Sequence, residues 1–186
     1  TRPLPTCKEN WGHERLNLID SSSENAQPLT GIRVLDLSGD LGVYCGKLLA
    51  DVGADVIKVE PPGGDAMRRT GPFVADAAPL ENSLHWRHYN TNKRSITLNI
   101  ETSAGTDLLG KLAATADVVL ESFQPGYLSA KGLGYDHLSE ANPGLVYASL
   151  TPFGQSGPYR DYKASDLVGF AMGGYMYVTG WPDTPP

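Results

Sequence analysis

The sequence predicts an α/β fold of the Rossmann-like, doubly wound type, with a mainly parallel sheet. Short apolar segments alternate along the chain with segments whose apolar residues recur at helical spacing, and Gly and Pro residues separate them. This alternation is typical of parallel strands joined by helices that pack on both faces of the sheet. The 186 residues, 40% of them hydrophobic, are enough for one globular domain.

The first predicted unit is strand–helix–strand. Residues 32–38, "IRVLDLS", form a short apolar run suited to a buried parallel strand. Residues 43–52 carry apolar side chains at helical spacing, and Gly53 stands where a helix would end. Residues 54–60, "ADVIKVE", read as the next strand, which two prolines bring to a stop.

The same alternation continues to the end of the chain. A Gly- and Pro-rich loop follows the second strand, and Thr102 or Ser103 is suited to cap the next helix. Strands are predicted at 94–100, 117–123 and 145–150, and helices over 103–116, 135–141 and 165–180. Residues 1–28 are polar and aperiodic, so we expect an N-terminal arm there and the Rossmann-like domain over 29–186.

Composition excludes several classes of function. A formal charge of −6 argues against general nucleic-acid binding, which depends on a basic face. No apolar run approaches the roughly 20 residues of a membrane span, and no signal peptide is visible. Cys7 and Cys45 are far apart, which predicts free thiols in a reducing compartment and a cytoplasmic location.

The turn after the first strand resembles a dinucleotide-binding turn only in part. Gly39, Gly42 and Gly46 form G-x-x-G-x-x-x-G, whereas the nicotinamide and flavin fingerprint is G-x-G-x-x-G. Glu60 does stand about 20 residues further on, where a ribose-binding acid would fall. The glycines therefore either only shape the turn or accommodate phosphates at the start of the helix.

Six segments in order resemble the family III CoA-transferases, which include formyl-CoA transferase and L-carnitine CoA-transferase and are related to α-methylacyl-CoA racemase. The segments run from Pro28 to Gly180. They are "PLTGIRVLDLS", "LLADVGADVIKVEPPGGD", "NTNKRSITLNI", "ADVVLESFQPG", "LGYDHLSEANPGLVYASLTPFGQSGPY" and "AMGGYMYVTG".

The resemblance implies a function. Family members transfer CoA between an acyl-CoA thioester and a carboxylic acid through an aspartyl-CoA intermediate, so coenzyme A is a substrate rather than a permanently bound cofactor. The family fold is an interlocked homodimer, in which a smaller domain and a returning C-terminal segment complete the site. We therefore expect this chain to be the truncated N-terminal part of the large domain.

The resemblance also implies site residues. Phe123 is suited to flank an adenine, or else to fill the core, and Lys163 offers a point charge to phosphate, or else is solvated. Ser165 is expected to line the acyl pocket. The expected CoA contacts are Leu41, Pro61, Leu98, Ser122, Phe123, Ala130, Lys131 and Lys163.

Three departures from the family pattern affect polar contacts. Relatives commonly carry Ala-Gly-Pro near Leu41, a basic residue at Pro61, and Asn at Ser122. The family nucleophile is an aspartate expected about one loop's length beyond "GWPDTPP". Neither Asp166 nor Asp183 matches it, so no catalytic residue is assigned within this chain.

Two alternative functions stay open. One is a non-catalytic CoA-binding half of a tandem or heteromeric transferase. The other is an isomerase similar to α-methylacyl-CoA racemase. The second is disfavoured because Ser165-Asp166 replaces the His-Asp pair of the racemase, and a serine hydroxyl is a poor proton carrier at neutral pH.

Two further patterns in the sequence, a pair of histidines and a group of basic residues, do not by themselves predict a site. His85 and His88 have H-x-x-H spacing without further metal ligands nearby in the sequence, so no metal site is predicted. A locally basic region is expected either to pair with phosphate or to be solvated. It comprises Arg68, Arg69, Arg87, Lys93 and Arg94.

Overall fold

Five parallel strands form one sheet within residues 27–76 and 80–180, the parts of the chain that the computed structural model describes. Their order across the sheet is β3-β2-β1-β4-β5, and every neighbouring pair is parallel. The strands are β1 (Arg33–Leu37), β2 (Asp55–Glu60), β3 (Arg94–Thr97), β4 (Val118–Glu121) and β5 (Val146–Ser149). The predicted doubly wound, parallel α/β fold is therefore confirmed. Most of the predicted arm, Cys7 and Asp183 lie outside the described residues.

Five α-helices connect or follow these strands in the described part of the chain. Thr102 caps α3 by accepting a hydrogen bond from the backbone N–H of Gly105 at 3.1 Å, as the sequence predicts. The helices are α1 (Val43–Asp51), α2 (Leu84–Tyr89), α3 (Ser103–Ala113), α4 (Tyr135–Ala141) and α5 (Asp166–Met172). No helix of residues 27–76 or 80–180 is long and apolar enough to cross a membrane.

Both faces of the sheet are buried along its three central strands, β2, β1 and β4. Neighbouring residues of β1 point to opposite sides, so that Leu35 packs in the core beneath α3 and α4, whereas Val34 packs with Ala50 of α1. This two-sided burial explains why the strands read as continuous apolar runs rather than as alternating ones.

The structure corrects the predicted helix over 165–180. Helix α5 ends at Met172, and the chain then passes through Gly174 in a left-handed conformation (φ 77°). A separate 3-10 turn, Tyr175–Val178, follows. Gly174 breaks the helix because only glycine adopts a positive φ without steric cost.

Helix α2 was not predicted. Its cap is Ser83, whose hydroxyl accepts a hydrogen bond from the backbone N–H of Trp86 at 3.1 Å, and Trp86 is itself buried. Four predicted strands end earlier than expected on their carboxyl side: β3 by three residues, β4 by two, and β1 and β5 by one each. The residues released from the strands lie at the carboxyl edge of the sheet, where they are available to a ligand.

Candidate functional site

The strand order reverses at β1, because β2 and β3 lie on one side of it and β4 and β5 on the other. In open α/β sheets, ligands bind beyond the carboxyl ends of the strands at such a switch point. Three cavities follow one another along this edge, and neighbouring cavities share a wall residue. Leu41 lines the first and the second, and Phe123 lines the second and the third.

We call these the first, second and third cavities of the carboxyl edge. The first has a volume of about 440 Å³ and is lined by Ser165, with Phe153 and Phe170. The second, about 310 Å³, is lined by Ser122 and Lys163. The third, about 130 Å³, is lined by Pro61 and Leu98. Seven of the nine sequence-predicted residues thus line these three adjacent cavities, which together we call the groove: Leu41, Pro61, Leu98, Ser122, Phe123, Lys163 and Ser165.

The other two, Ala130 and Lys131, lie in a 3-10 turn beside the groove. Lys131 donates a hydrogen bond from Nζ to Glu101 Oε2 at 2.7 Å, and its Nζ lies 4.9 Å from the ring centre of Tyr127. Glu101 and Tyr127 line the third cavity, whereas Lys131 lines a separate hollow between α3 and α4. Ala130 is exposed and lines none of the three cavities.

An aromatic stack separates the second and third cavities. The rings of Phe123 and Tyr127 are stacked with their centres 4.7 Å apart and their planes at 26°. Phe123 is half-buried and packs against the apolar core, so one edge of the ring belongs to the core while the ring also forms a cavity wall. Phe123 therefore packs against the core and also lines two cavities, and its contact with adenine stays a prediction.

A buried polar network lies beneath the β1–α1 turn. Asp36 is fully buried, and its Oδ1 accepts hydrogen bonds from Ser38 N at 2.9 Å and Ser38 Oγ at 2.6 Å. Lys58, also buried, donates to the carbonyl of Ser38 and lies 3.4 Å from Asp65 Oδ2. All three polar groups of Ser38 are thus held, which fixes the start of the turn that carries Leu41.

Lys93 completes this network from the opposite side. Its Nζ donates to Asp36 Oδ2 at 2.8 Å, to the Val43 carbonyl at 2.9 Å and to Asn90 Oδ1 at 3.1 Å. Burial lowers the pKa of Lys93 below its usual value, although the negative charge of Asp36 opposes that shift. The ammonium group ties α1 and the loop before β3 to β1.

Gly42 and Gly46 of the first turn have a packing reason, whereas Gly39 makes a backbone hydrogen bond. Gly39 donates its N–H to Ser122 Oγ at 2.8 Å, which joins the β1 and β4 edges. A Cβ atom at Gly42 would stand 2.5 Å from Ser38 Cβ, and one at Gly46 would stand 2.4 Å from Asp36 Oδ2. The glycines therefore allow the helix to approach the strand closely.

Glu60 is held by protein donors on both of its oxygens. Arg68 donates to Oε2 from Nε at 2.6 Å and to Oε1 from Nη2 at 2.8 Å. Ser95 Oγ and the backbone N–H of Asp65 donate as well. Burial opposes ionisation, yet these hydrogen bonds outweigh it and lower the pKa of Glu60 to about 2. The carboxylate is engaged by protein groups and not by the ribose that the fingerprint would require.

Much of the predicted basic region is paired with carboxylates of the protein itself. Besides Arg68 with Glu60 and Lys93 with Asp36, Arg94 Nη2 lies 2.5 Å from Asp55 Oδ1. Arg69 and Arg87 each donate to a backbone carbonyl. Arg68, Lys93 and Arg94 are therefore ion-pair partners within the fold, a role that differs from the two suggested by the sequence, phosphate binding and solvation.

The structure also places the other candidates. His85 Nε2 lies 3.7 Å from Asp40 Oδ1, and both His85 and His88 pack edge-on against Tyr89. Within residues 27–76 and 80–180, no group of three or more His, Cys, Asp or Glu side chains is arranged to hold a metal ion. Asp166 begins α5 and lines the first cavity.

Sequence reasoning missed several polar residues of the second cavity, among them Thr151 and Arg160. Thr151 follows β5 by two residues, and Arg160 lies in the loop between β5 and α5. In the described part of the chain, Thr151 Oγ1 and Arg160 Nε are the two buried side-chain polar atoms without a hydrogen-bond partner. A strand predicted to end at 150 could have drawn attention to Thr151, but no local pattern singles out Arg160.

The fold, the switch-point groove and the order of the sequence segments together define one class of protein. Residues 29–186 match CoA-transferase family III, and the chain belongs to that family. A solved structure of a CAIB/BAIF family protein from Brucella suis has a TM-score of 0.79 and 42% identity, covering 87% of this chain and 43% of that one.

Two curated relatives are CoA-transferases that act with succinyl-CoA, according to their names. Succinyl-CoA–D-citramalate CoA-transferase from Chloroflexus aurantiacus is 46% identical over 168 residues, which cover 89% of this chain and 41% of the relative. The BbsE subunit of succinyl-CoA:(R)-benzylsuccinate CoA-transferase from Thauera aromatica is 42% identical over 154 residues, covering 83% of this chain and 38% of the relative. The chain thus spans about two fifths of the length of each.

Proposed function

We propose that the protein carrying this chain transfers CoA between an acyl-CoA thioester and a carboxylic acid, and that residues 29–186 supply much of its CoA-binding surface. The observation that carries the proposal is the groove of three adjacent cavities at the switch point, in a chain of CoA-transferase family III. A nucleotide with a long flexible tail needs an extended groove rather than one closed pocket.

The lining of the groove suggests how CoA lies in it. We propose that the adenine contacts the aromatic stack of Phe123 and Tyr127, because a flat ring system packs well on aromatic faces. The pantetheine arm would then pass the tip of the β1–α1 turn at Leu41. The acyl end would reach the first cavity, where Phe153 and Phe170 offer apolar surface and Ser165, Asp166 and Tyr175 offer polar groups.

The chemistry follows from a carboxylate nucleophile, which we propose comes from an aspartate outside the described residues. Its oxygen attacks the thioester carbonyl, the C–S bond breaks, and a mixed anhydride and the CoA thiolate result. The thiolate attacks the aspartyl carbonyl and releases the donor acid, leaving CoA as an enzyme thioester. The acceptor carboxylate attacks that thioester and displaces the CoA thiolate, which gives a second mixed anhydride. The thiolate then attacks the acceptor's carbonyl and releases the aspartate carboxylate.

An acyl-CoA panel tests the proposal. The names of both relatives above specify succinyl-CoA as donor, so succinyl-CoA is the first donor to test, with acetyl-CoA for comparison. The natural full-length protein is incubated with the donor alone and then examined by intact-mass spectrometry. We expect an adduct equal to one CoA minus one water, which hydroxylamine removes. Absence of acyl-CoA binding in a titration contradicts the proposal.

A heteromeric form is the second candidate. A relative 42% identical to this chain is named as one subunit of its enzyme, which supports a role as one half of a heteromeric transferase. In that case CoA binds but no adduct forms until the partner subunit is added. Otherwise we propose an interlocked homodimer in the cytoplasm. The racemase alternative predicts deuterium exchange at the acyl α-carbon, and Ser165 in place of its histidine disfavours it.

A further inference from the structure

We infer that Arg160 and Thr151 bind a phosphate group of coenzyme A in the second cavity, beside Lys163, whose phosphate contact the family resemblance already implies; this assignment rests on the proposed function. Neither residue was expected from the family resemblance. The cavity lies over the carboxyl ends of β4 and β5, directly beside the switch point, where nucleotides bind in open α/β sheets.

The first argument is the position of the unpaired polar atoms. In the described residues, buried side-chain polar atoms almost all have hydrogen-bond partners, and the two that do not are Thr151 Oγ1 and Arg160 Nε. Both residues line the second cavity. Buried donors are normally satisfied by protein, water or ligand, and an arginine Nε is a donor only. Two such atoms at one cavity indicate an acceptor-rich ligand.

The second argument is charge. The lining of the second cavity includes two cationic side chains, Arg160 and Lys163, and no carboxylate. The first cavity contains Asp166, and the third contains Glu60 and Glu101. The nearest acid to the guanidinium is its sequence neighbour Asp161, at 3.7 Å from Nε, and that side chain is 79% exposed. In a chain of net charge −6, this is the part of the groove suited to an anion.

The third argument is how the fold brings Arg160 to the cavity. The Arg160 side chain reaches back from the β5–α5 loop to the loop after β4, where a Cβ atom at Gly126 would stand 3.0 Å from Arg160 Nη2. Gly126 has a positive φ of 84°. A guanidinium placed by two loops offers several N–H groups in one plane, which suits bidentate recognition of phosphate oxygens. The Thr151 hydroxyl supplies a further donor.

The test uses the natural full-length protein, with CoA, dephospho-CoA, ADP and pyrophosphate as probes in calorimetric titrations. The variants are Arg160→Gln, Arg160→Lys and Thr151→Val. Arg94→Gln is the matched control, because it removes the same charge from the opposite edge of the sheet, where Arg94 pairs with Asp55. Thermal unfolding of every variant verifies that the fold is retained.

We expect Arg160→Gln to weaken CoA binding at least about 10-fold and Thr151→Val about 3- to 10-fold, while Arg94→Gln leaves it unchanged. Arg160→Lys restores part of the affinity, because it keeps the charge and loses the planar donors. If Arg160→Gln weakens ADP and CoA equally, the bound group is the 5′-diphosphate. If the variant no longer distinguishes CoA from dephospho-CoA, the bound group is the 3′-phosphate.

Other results overturn the inference. If folded Arg160→Gln binds CoA as the control does, Arg160 is not a phosphate ligand. If its effect is confined to succinyl-CoA and is missing for acetyl-CoA and ADP, the residue recognises the acyl carboxylate instead. A wild-type protein that binds pyrophosphate through Arg160 but does not bind CoA contradicts the proposed function and leaves the phosphate subsite standing. A wild-type protein that binds none of the probes contradicts both.

Discussion

The two sides of the carboxyl edge differ in whether their charged side chains have partners within the protein. Around β1, β2 and β3, buried ionisable side chains are paired: Asp36 with Lys93, Lys58 with Asp65, and Glu60 with Arg68. Beyond β4 and β5, the cationic Arg160 has a buried Nε without a hydrogen-bond partner. On the first side the charged groups are paired with other groups of the protein, whereas the second side has polar atoms that remain available to a ligand.

This difference distinguishes residues that stabilise the fold from residues that are suited to bind a ligand. A buried ion pair that loses one partner leaves an uncompensated charge, so the paired side must stay intact for the chain to fold. Polar groups without protein partners gain little from folding and are free to gain from a ligand. We therefore expect substitutions on the β1–β3 side to change stability, and substitutions on the β4–β5 side to change binding.

The largest effect is expected from Asp36→Ala. The substitution leaves the Lys93 ammonium buried without its carboxylate and frees Ser38 from two hydrogen bonds. Such losses typically reduce the free energy of unfolding by about 3–5 kcal/mol, which urea titration would measure. The matched control is Asp51→Ala, whose partly exposed pair with Lys47 should contribute little to stability. Equal effects of the two substitutions would contradict the comparison.

The next effect is pH-dependent and concerns Glu60. Its pKa is about 2 in the folded chain and 4.5 ordinarily, a difference worth about 3 kcal/mol. A depressed carboxyl pKa stabilises the fold above pH 4.5, and this contribution is lost as the pH falls toward 2. Urea unfolding of wild type and Glu60→Gln should therefore differ most near neutral pH.

The gap between these two proteins should close as the pH approaches 2, because protonated Glu60 resembles glutamine. Glu140→Gln, on the exposed side of α4, serves as the control and should show no such pH dependence. A gap that stays constant from neutral to acid pH would show that the charge of Glu60 is not what stabilises this region.

A smaller effect is expected from Gly46→Ala. The new Cβ would stand 2.4 Å from Asp36 Oδ2 and 3.0 Å from Lys93 Nζ, so the ion pair would have to shift. Gly110→Ala is the matched control, since Gly110 is also helical and its Cβ would meet nothing within 4 Å. Helix propensity then cancels, and overpacking should make Gly46→Ala the less stable variant by about 1–3 kcal/mol in thermal unfolding.

The smallest effect is expected on the β4–β5 side in the absence of ligand. Thr151→Val removes a buried hydroxyl without a partner, and Arg160→Gln removes a guanidinium whose buried Nε has none. Each should change the free energy of unfolding by no more than about 0.5 kcal/mol, and for Thr151→Val we expect the change to be stabilising. Urea titration of the unliganded protein measures both. A loss above 2 kcal/mol would place these residues with the supporting network.

Much of the fold was readable in the sequence because the signals are local. The apolar runs at 32–38 and 54–60 and the cap at Thr102 each depend on neighbouring residues, and the structure contains β1, β2 and α3 close to the predicted positions. The prediction of one helix over 165–180 was wrong because the sequence does not show whether a glycine in an apolar segment adopts a positive or a negative φ. Helix α2 was missed because burial of Trp86, rather than a long periodic pattern, supports it.

The candidate site was readable only where the family resemblance supplied the residues. Leu41, Pro61 and Phe123 line the groove, but nothing in their spacing shows that Phe123 is shared between two cavities. Conversely, Glu60 stood at the distance of a ribose ligand, and only the structure shows that Arg68 holds it. Sequence distance along a strand–helix–strand unit fixes where a carboxylate lies, and leaves its partner undetermined.

By itself, the sequence determined the order of strands and helices, the parallel sheet and the family, because alternation, turn residues and ordered motifs are properties of the chain read in one direction. Only the tertiary structure decided which charges are paired and which are left without partners. Asp36 and Lys93 are 57 residues apart in the sequence. Thr151 and Arg160 lie after β5, and they line a cavity only together with residues that follow β4. Pairing of charges depends on distances through space, which the linear order of residues does not contain.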